Sequence, residues 1–342
     1  MPGFMKNLER DVMSIVFSMV PNSALCRLSG IEAIIPYYHM VNDFEVPHTR
    51  HLYRHKNVNQ FESDIEYLLK HYEPVGLNDI LRGSVAGKGN RRKSFLLTFD
   101  DGFREMHDIV APILRRKGIP AAFFVSTGFV DNVDMCYKNK ASLLIEECAR
   151  TGSKNLFKEM QGLFGAERGD KSALAEKILE VDYQEREVID RALGIAGFDF
   201  GGYMKNSRPY LETAQIEKMI KDGFHIGAHS IDHPFYATIP LEEQVRQTKS
   251  SLSWIREKFG LEYGAFAFPH SDRGVGSRFF DEIYKGEEVD ISFGTGGLGN
   301  VRGCRHLQRF SMEKPLYGAR RILGYQYGRT IIRNRGSVNE GN

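Results

Sequence analysis

The sequence predicts an α/β protein built on a parallel β-sheet. Strand-like and helix-like segments alternate along most of its 342 residues, the pattern typical of strands joined by crossover helices. Short runs such as 94–99 and 121–125 are almost wholly apolar, as expected of strands that are buried on both faces. Hydrophobic residues make up 42% of the chain and charged residues 26%, a globular composition that excludes extensive disorder.

The first half of the chain follows this alternation closely. Residues 32–38 form the first predicted strand, which ends at His39, and Asn59 with Glu62 predicts a capping box at the start of a helix. The apolar residues of that helix share one face, and they are Phe61, Ile65, Leu68 and Leu69. The next elements in order are a strand over 94–99, a helix over 106–117 that Gly118 ends, and a strand over 121–125.

The alternation is interrupted between about residues 131 and 210, where helical patterns occur without a convincing buried strand. We interpret this segment as a helical insertion. The alternation then resumes with a helix that ends at Gly223, a strand through Ile226, a helix over 241–259 and a strand over 263–268. The predicted organisation is an N-terminal helical extension (1–30), a main domain (31–312) that contains the insertion, and a basic C-terminal helix or tail (313–342).

The N-terminal segment 12–20 is apolar and follows Lys6 and Arg10, so it superficially resembles a signal peptide. Glu9 and Asp11 adjoin it, however, and no good cleavage pattern of small residues follows. An amphipathic helix is therefore the favoured interpretation. No apolar run approaches the ~18 residues of a membrane span, and we expect a cytoplasmic protein, with secretion as the alternative.

Charge and cysteine content exclude several classes of function. The chain has 46 basic and 44 acidic residues, a net charge of +2 that is too balanced for a dedicated nucleic-acid binder. Its 4 cysteines lack the C-x-x-C spacing of zinc knuckles.

Basic residues dominate the C-terminal stretch 305–335, where the single acidic residue is Glu313. The basic residues are Arg305, Arg309, Lys314, Arg320, Arg321, Arg329, Arg333 and Arg335. A solvated basic helix is favoured there, and contact with an anionic glycan, a nucleotide-linked sugar or a membrane surface is the alternative.

Three polar segments come directly after predicted strands, and they are residues 98–102 (TFDDG), 227–234 (GAHSIDHP) and 266–270 (FAFPH). The carboxyl ends of parallel strands meet at one rim of the sheet, so we expect these segments to converge. His229 and His233 stand four residues apart, and two imidazoles with one carboxylate make a three-ligand metal site with an open position. Asp100 and Asp101 supply two carboxylates, of which one can bind the metal and the other can transfer protons.

These three motifs, in this order, resemble those of the NodB-homology polysaccharide deacetylases, carbohydrate esterase family 4. The resemblance covers roughly residues 33–130 and 210–312. It implies a distorted (β/α) barrel of the NodB/glycoside hydrolase-deacetylase type, with the helical insertion outside the shared region. It also implies metal-dependent hydrolysis of an acetyl group on a carbohydrate, with N-acetyl favoured over O-acetyl.

The same resemblance assigns roles to individual residues. Asp101, His229 and His233 would bind a divalent metal, Zn²⁺ first and Co²⁺, Ni²⁺, Fe²⁺ or Mn²⁺ as alternatives. Asp100 would be the general base. The backbone N–H after Pro269, that of His270, would stabilise the oxyanion.

Two departures from the family pattern leave one role open. The third motif, usually Pro-Tyr/Phe-Gly, is Pro269-His270-Ser271 here, which alters the wall of the pocket. The late Leu-x-His motif, whose histidine is the general acid, is missing. His306 is the nearest candidate for that acid, with His39 and His270 as alternatives, and we expect His39 and Pro269 to contact the substrate.

Two other functions stay open at this point. Relatives in the superfamily hydrolyse C–N bonds of non-sugar amides, and a catalytically silent glycan-binding domain would explain the missing acid.

The segment 294–299 matches G-x-G-x-x-G, but residues 300–303 do not have the pattern of a helix start. A loop on the rim is therefore favoured over a dinucleotide site. The preferred setting is a cytoplasmic enzyme of cell-surface polysaccharide precursor synthesis. The sequence specifies neither the sugar nor an oligomeric state.

Overall fold

An eight-stranded parallel sheet forms the centre of the computed structural model, which describes residues 12–83, 93–166, 170–286, 288–299, 301 and 303–339. The strand order is β10-β9-β8-β7-β6-β5-β2-β11, and the sheet curls into a nearly closed barrel surrounded by helices. The predicted distorted (β/α) barrel is therefore confirmed. The strands of this sheet are β2 (Pro36–Tyr38), β5 (Leu97–Phe99), β6 (Ala121–Val125), β7 (His225–Ala228), β8 (Ala265–Ala267), β9 (Ile291–Gly294), β10 (His306–Gln308) and β11 (Phe310–Ser311).

One short segment, residues 306–311, joins the two edges of the sheet. Its first half, β10, pairs with β9, whereas its second half, β11, pairs with β2 at the opposite end of the strand order. Arg309 lies at the junction and is completely buried. The last segment of the barrel therefore brings residues near 310 next to residues near 37 and, through β2, next to β5.

A small second sheet lies at the amino-terminal ends of two barrel strands. It consists of β1 (Ala33–Ile34), β3 (Tyr72–Pro74) and β4 (Lys93–Phe95), with β4 in the centre. Ile35 separates β1 from β2, and Leu96 separates β4 from β5. Each of the predicted strands 32–38 and 94–99 thus divides into two short strands that pair with different neighbours.

Helices pack around the barrel as the apolar patterns predict. They are α3 (Val58–His71), α4 (Leu77–Leu81), α5 (Ala111–Lys117) with a π-helical turn before it (Met106–Val110), α11 (Thr213–Lys221), α12 (Leu241–Phe259) and α13 (Ser277–Tyr284). In α3, Phe61, Ile65 and Leu68 are fully buried, as predicted. The predicted cap is wrong, because the capping box joins Asn57 to Gln60, two residues earlier than Asn59 and Glu62.

Five helices occupy the range of the predicted insertion. They are α6 (Tyr137–Thr151), α7 (Lys154–Leu163), α8 (Lys171–Glu180), α9 (Glu187–Ile195) and α10 (Phe200–Ser207). They bury their own apolar cluster, with Leu144, Met160 and Ile189 among its members. The insertion returns to the barrel at Tyr210, whose ring stacks on Phe103 with centroids 5.3 Å apart.

Both termini contribute helices that pack together. These are α1 (Val12–Met19), α2 (Asn22–Ser29) and α14 (Ala319–Asn339). Phe17 lies against the glycines Gly324 and Gly328 of α14, where a Cβ atom would clash. Residues 1–11 and 340–342 of the predicted extension and tail lie outside the described residues. In the described ranges no single helix is long and apolar enough to span a membrane, and α1 and α2 meet that criterion only as a pair bent by 103°.

Candidate metal centre and active site

The three motif segments meet at the carboxyl rim of the barrel, and their backbones take conformations that side chains usually avoid. Asp101 has a φ of 70°, Ser230 of 67°, His233 of 63° and His270 of 55°. Non-glycine residues in this region are uncommon and cluster at functional sites. Gly102 follows Asp101 with a φ of 76°, and a Cβ there would lie 3.0 Å from the Val125 side chain. Only glycine fits this turn.

Asp101, His229 and His233 come together as the sequence predicts. The Asp101 Oδ1 atom lies 3.4 Å from His229 Nε2 and 3.1 Å from His233 Nε2. One ligand atom from each of the three residues falls within 4.8 Å of the others. Asp101 Oδ1 and His233 Nε2 are buried and have no hydrogen-bond partner among the described residues. Two orphaned atoms facing each other fit a cation that would bind both.

Neighbouring groups orient the two imidazoles for this task. The His229 Nδ1–H donates to the Ala267 carbonyl over 2.8 Å, so Nε2 is the free nitrogen that faces Asp101. The Nδ1 of His233 lies 3.9 Å from the Cys136 Sγ of the insertion. Ser230 braces the loop, because its Oγ accepts the His233 N–H over 3.0 Å. Asp232 contacts neither ring and instead accepts from Tyr183 and Gln247, both at 2.6 Å.

The electrostatics of the cluster suit a divalent cation. Burial would raise the pKa of Asp101, but His39 and His233 outweigh it and hold this pKa well below its ordinary value. Burial lowers the pKa of His229, which favours the neutral imidazole that a metal requires. Burial would also lower the pKa of His233, but Asp101 outweighs it and raises this pKa well above its ordinary value, so a metal would displace a proton there. Two imidazoles and one carboxylate leave a position open for water or substrate. The residues present therefore fit a catalytic metal site.

Asp100 lies beside this cluster and is held by Arg309. The guanidinium donates to both carboxylate oxygens, from Nη1 over 2.7 Å and from Nη2 over 2.8 Å. Burial would raise the pKa of Asp100, but Arg309 and His229 more than offset it and lower this pKa. The sequence pattern places Arg309 in a solvated basic stretch and gives no sign of this pairing. That interpretation is wrong for Arg309, which is completely buried inside the barrel.

His39 pairs with Glu313 across the same junction. The Glu313 carboxylate accepts from His39 Nδ1, from the His39 N–H over 2.6 Å and from the Met40 N–H over 2.7 Å. Burial alone would lower the pKa of His39, but Glu313 and Asp101 outweigh it and raise this pKa to about 9. Glu313, the lone acid of the basic stretch, is thus the group that orients His39.

His306, the nearest candidate for the general acid, lies on β10 with both ring nitrogens occupied. Its Nε2 is 3.0 Å from Asp272 Oδ2, and its Nδ1 is 2.7 Å from Ser292 Oγ. The ring packs against Phe268 and Phe280. Ser292 is fully buried, so the Ser–His–Asp arrangement is inaccessible to a substrate. Among the described residues, none of these contacts of His306 involves the Asp101 cluster.

Pro269 and His270 follow β8 at the rim. Pro269 is buried, whereas His270 is exposed. The His270 ring packs edge-on against His233, with centroids 4.5 Å apart. The His270 N–H makes no hydrogen bond within the described residues, which leaves it available as a donor beside the cluster.

A small cleft lies beside Asp101 and His233. Rim residues of the barrel and residues from the range of the predicted insertion line it together. The lining residues are Asp101, Ser126, Phe129, Cys136, Asn139, Tyr210 and His233. Cys136, Asn139 and Tyr210, which fall in the range of the predicted insertion, therefore lie beside the cluster.

Comparisons with known proteins agree with this architecture. A family model described as polysaccharide deacetylase matches residues 87–162 and 190–279. Among solved structures, the Streptococcus pyogenes deacetylase PplD in complex with acetate has a TM-score of 0.54 at 14% identity and covers 86% of this chain and 98% of its own. IcaB from Ammonifex degensii has a TM-score of 0.53 at 17% identity, and the match covers 86% of this chain and 98% of IcaB. A de-N-acetylase from Aggregatibacter actinomycetemcomitans has a TM-score of 0.52 at 14% identity, and the match covers 86% of this chain and 99% of that enzyme.

At these identities the structural likeness shows a shared fold. A search of curated proteins finds no match.

Proposed function

Because the chain belongs to the NodB-homology polysaccharide deacetylase family, we propose that it is a metal-dependent hydrolase that removes an acetyl group from a carbohydrate, with N-acetyl groups favoured over O-acetyl groups. The observation that carries the proposal is the Asp101–His229–His233 cluster with the Arg309-held Asp100 beside it. The three cluster residues would hold the metal, with Zn²⁺ as the first choice and Co²⁺, Ni²⁺, Fe²⁺ or Mn²⁺ as alternatives. A divalent ion held there would supply Lewis acidity and would lower the pKa of the attacking water towards ~7.

Asp100 is the general base. It is a carboxylate at neutral pH because Arg309 and His229 lower its pKa, and it lies next to the metal ligand Asp101. The bidentate contact with Arg309 fixes the orientation of the carboxylate, while each oxygen keeps a lone pair for the proton of the attacking water. Arg309 therefore acts as a positioning residue for the base.

His39 is the general acid in this proposal, in place of His306. Glu313 occupies Nδ1 of His39, so Nε2 is the nitrogen that can donate a proton to the leaving amine. Water oxygen forms the new bond to the acetyl carbon, the C–N bond breaks, and the products are acetate and the free amine. The His270 N–H donates to the developing oxyanion.

Acetate release from a substrate panel tests the proposal. The panel contains N-acetylglucosamine, its β-1,4 and β-1,6 oligomers, O-acetylated sugars, and linear and cyclic non-sugar amides. We expect the metal-loaded protein to release acetate from an N-acetylated saccharide and Asp101→Asn to release none above background. Asp222→Asn, which changes a partly buried carboxylate paired with Lys218 on α11, is the matched control and keeps full activity.

Three results would contradict the proposal in different ways. Equal acetate release by metal-free Asp101→Asn would exclude the metal site. Hydrolysis confined to the non-sugar amides would assign the chain to the other branch of its superfamily. Saccharide binding without turnover of any panel member would favour the glycan-binding alternative.

A further inference from the structure

Some of the buried polar side-chain atoms without a partner among the described residues lie at or near the candidate active site, and others lie elsewhere in the fold. Such atoms are rare in folded proteins, and each is unfavourable unless a ligand or water satisfies it. Near the site they are Asp101 Oδ1, His233 Nε2, the Tyr53 hydroxyl and Glu105 Oε2. A metal ion would satisfy the first two atoms. The unpartnered atoms of Tyr53 and Glu105 need a different explanation.

Tyr53 lies on the loop between β2 and α3. Its ring packs against that of His39, with centroids 5.2 Å apart. Burial raises the pKa of Tyr53 well above its ordinary value, and the charges of Asp101, Glu313 and Glu105 act in the same direction. The hydroxyl therefore stays protonated and remains a hydrogen-bond donor.

Glu105 lies four residues after Asp101, immediately before the π-helical turn. Its Oε1 accepts from Asn42 Nδ2 over 3.2 Å, but its Oε2 accepts from no described residue. Asn42 belongs to the same loop as Tyr53, so this hydrogen bond ties Glu105 to the loop. An unpartnered donor that packs against His39 and an unpartnered acceptor tied to the same loop match the hydroxyl groups of a sugar ring, which both donate and accept.

We propose that Tyr53 and Glu105 form a saccharide subsite that binds the sugar ring carrying the acetyl group. The Tyr53 hydroxyl donates to a ring or hydroxyl oxygen, and the Glu105 carboxylate accepts from a sugar hydroxyl. The subsite places the acetyl group over the metal ligands and the ring against His39. This inference rests on the proposed function, since it names the part of the substrate that the same site recognises.

Steady-state kinetics of Tyr53→Phe and Glu105→Gln test the subsite on the panel saccharide that the wild-type protein deacetylates fastest. We expect kcat/KM to fall about tenfold for Tyr53→Phe and about 10–100-fold for Glu105→Gln, because charged hydrogen bonds are the stronger ones. The loss falls mainly on KM, and the metal content is unchanged. A purely structural role would not raise KM selectively.

Two variants control for the loss of a buried polar group elsewhere. Tyr72→Phe removes a buried hydroxyl that is paired with Tyr327, and Glu147→Gln changes a buried carboxylate that is paired with Arg150. Both should keep the wild-type KM. If Tyr53→Phe and Glu105→Gln keep it as well, water rather than substrate satisfies these atoms and the subsite is excluded.

The subsite can fail separately from the proposed function. If the wild-type protein releases no acetate from the panel, the proposed function fails, and titration calorimetry with the panel saccharides then tests the subsite alone. Binding weakened at least about tenfold by either substitution supports the subsite. Unchanged binding, or no binding at all, contradicts it.

Discussion

The proposed metal-binding half of the site and its proposed proton-transfer half differ in how far apart their residues lie in the chain. Asp101 follows β5, and His229 and His233 occupy one loop after β7, so short motifs contain all three proposed ligands. The proton-transfer half joins Asp100 to Arg309, 209 residues away, and His39 to Glu313, 274 residues away. Both long-range pairs depend on the segment 306–311 that closes the barrel.

Under the proposed function, metal affinity and catalytic rate would therefore have separate structural origins. Changes in the closing segment should disturb the base and the acid while the ligands stay in place. Changes in the loop after β7 should do the reverse. Substitutions confined to one half can separate the two.

The largest expected effect is that of Asp100→Asn, which removes the base and leaves the three ligands unchanged. We expect acetate release to fall by about 10²–10⁴-fold, the usual contribution of general acid–base catalysis. Elemental analysis should find the wild-type metal content. Loss of the metal together with the activity would show that Asp100 is a metal ligand. That result would contradict the division of the site into a metal-binding half and a proton-transfer half.

Arg309→Met should cost about 3–5 kcal/mol of unfolding free energy, because it leaves the Asp100 carboxylate buried without a counter-charge. Urea unfolding at neutral pH measures this loss. The double variant Asp100→Asn/Arg309→Met should recover part of it. Lys177→Met, which changes an exposed ammonium group paired with the exposed carboxylate of Glu180, is the control and should show no measurable change. An equally small effect for Arg309→Met would contradict a stabilising role for the buried pair in the closing segment.

His39→Gln and His306→Gln distinguish the two candidate acids. We expect His39→Gln to lower kcat by about 10²-fold, since its Nε2 is the nitrogen available to the leaving group. His306→Gln should change kcat by less than about threefold, because Asp272 and Ser292 occupy its ring nitrogens. A larger loss of kcat for His306→Gln than for His39→Gln would identify His306 on β10 as the general acid.

The smallest effect is a pH dependence of stability in the metal-free protein. The folded-state pKa of His39 is raised from 6.5 to about 9, with Glu313 the main cause that raises it. Its stabilising contribution is therefore complete below pH 6.5 and is lost as the pH rises through 9. The difference in unfolding free energy between wild type and Glu313→Gln should be largest near about pH 6 and smallest above about pH 9. A difference that grows with pH would contradict the ion pair.

The barrel and the convergence of Asp101, His229 and His233 could be predicted from the sequence because both depend on local patterns. Apolar runs mark buried strands, and TFDDG and GAHSIDHP each place their polar residues directly after a strand. The partners of Asp100 and His39 could not be found this way. Arg309 and Glu313 lie in a stretch whose charge pattern favours a solvated helix, and only the closure of the barrel brings them inside.

The cap of α3 shows the same limit on a smaller scale. Asn57 and Asn59 each stand three residues before a Glu or Gln, so the capping-box pattern fits both positions. The use of Asn57 as the N-cap depends on the path of the preceding loop. Asp43, for example, accepts the Val58 N–H over 2.9 Å at this position, a contact that no local pattern specifies.

Titration of the metal-free protein with Co²⁺, followed by its visible absorption, tests whether Asp101, His229 and His233 hold the metal. We expect about one ion to bind per chain in the wild type and in Asp100→Asn, with the spectrum of a site made of nitrogen and oxygen ligands. Asp101→Asn and His233→Ala should lose this binding, and acetate release should be restored by Co²⁺ in the wild type alone. Equal Co²⁺ binding by all four proteins would place the metal elsewhere and contradict the proposed centre.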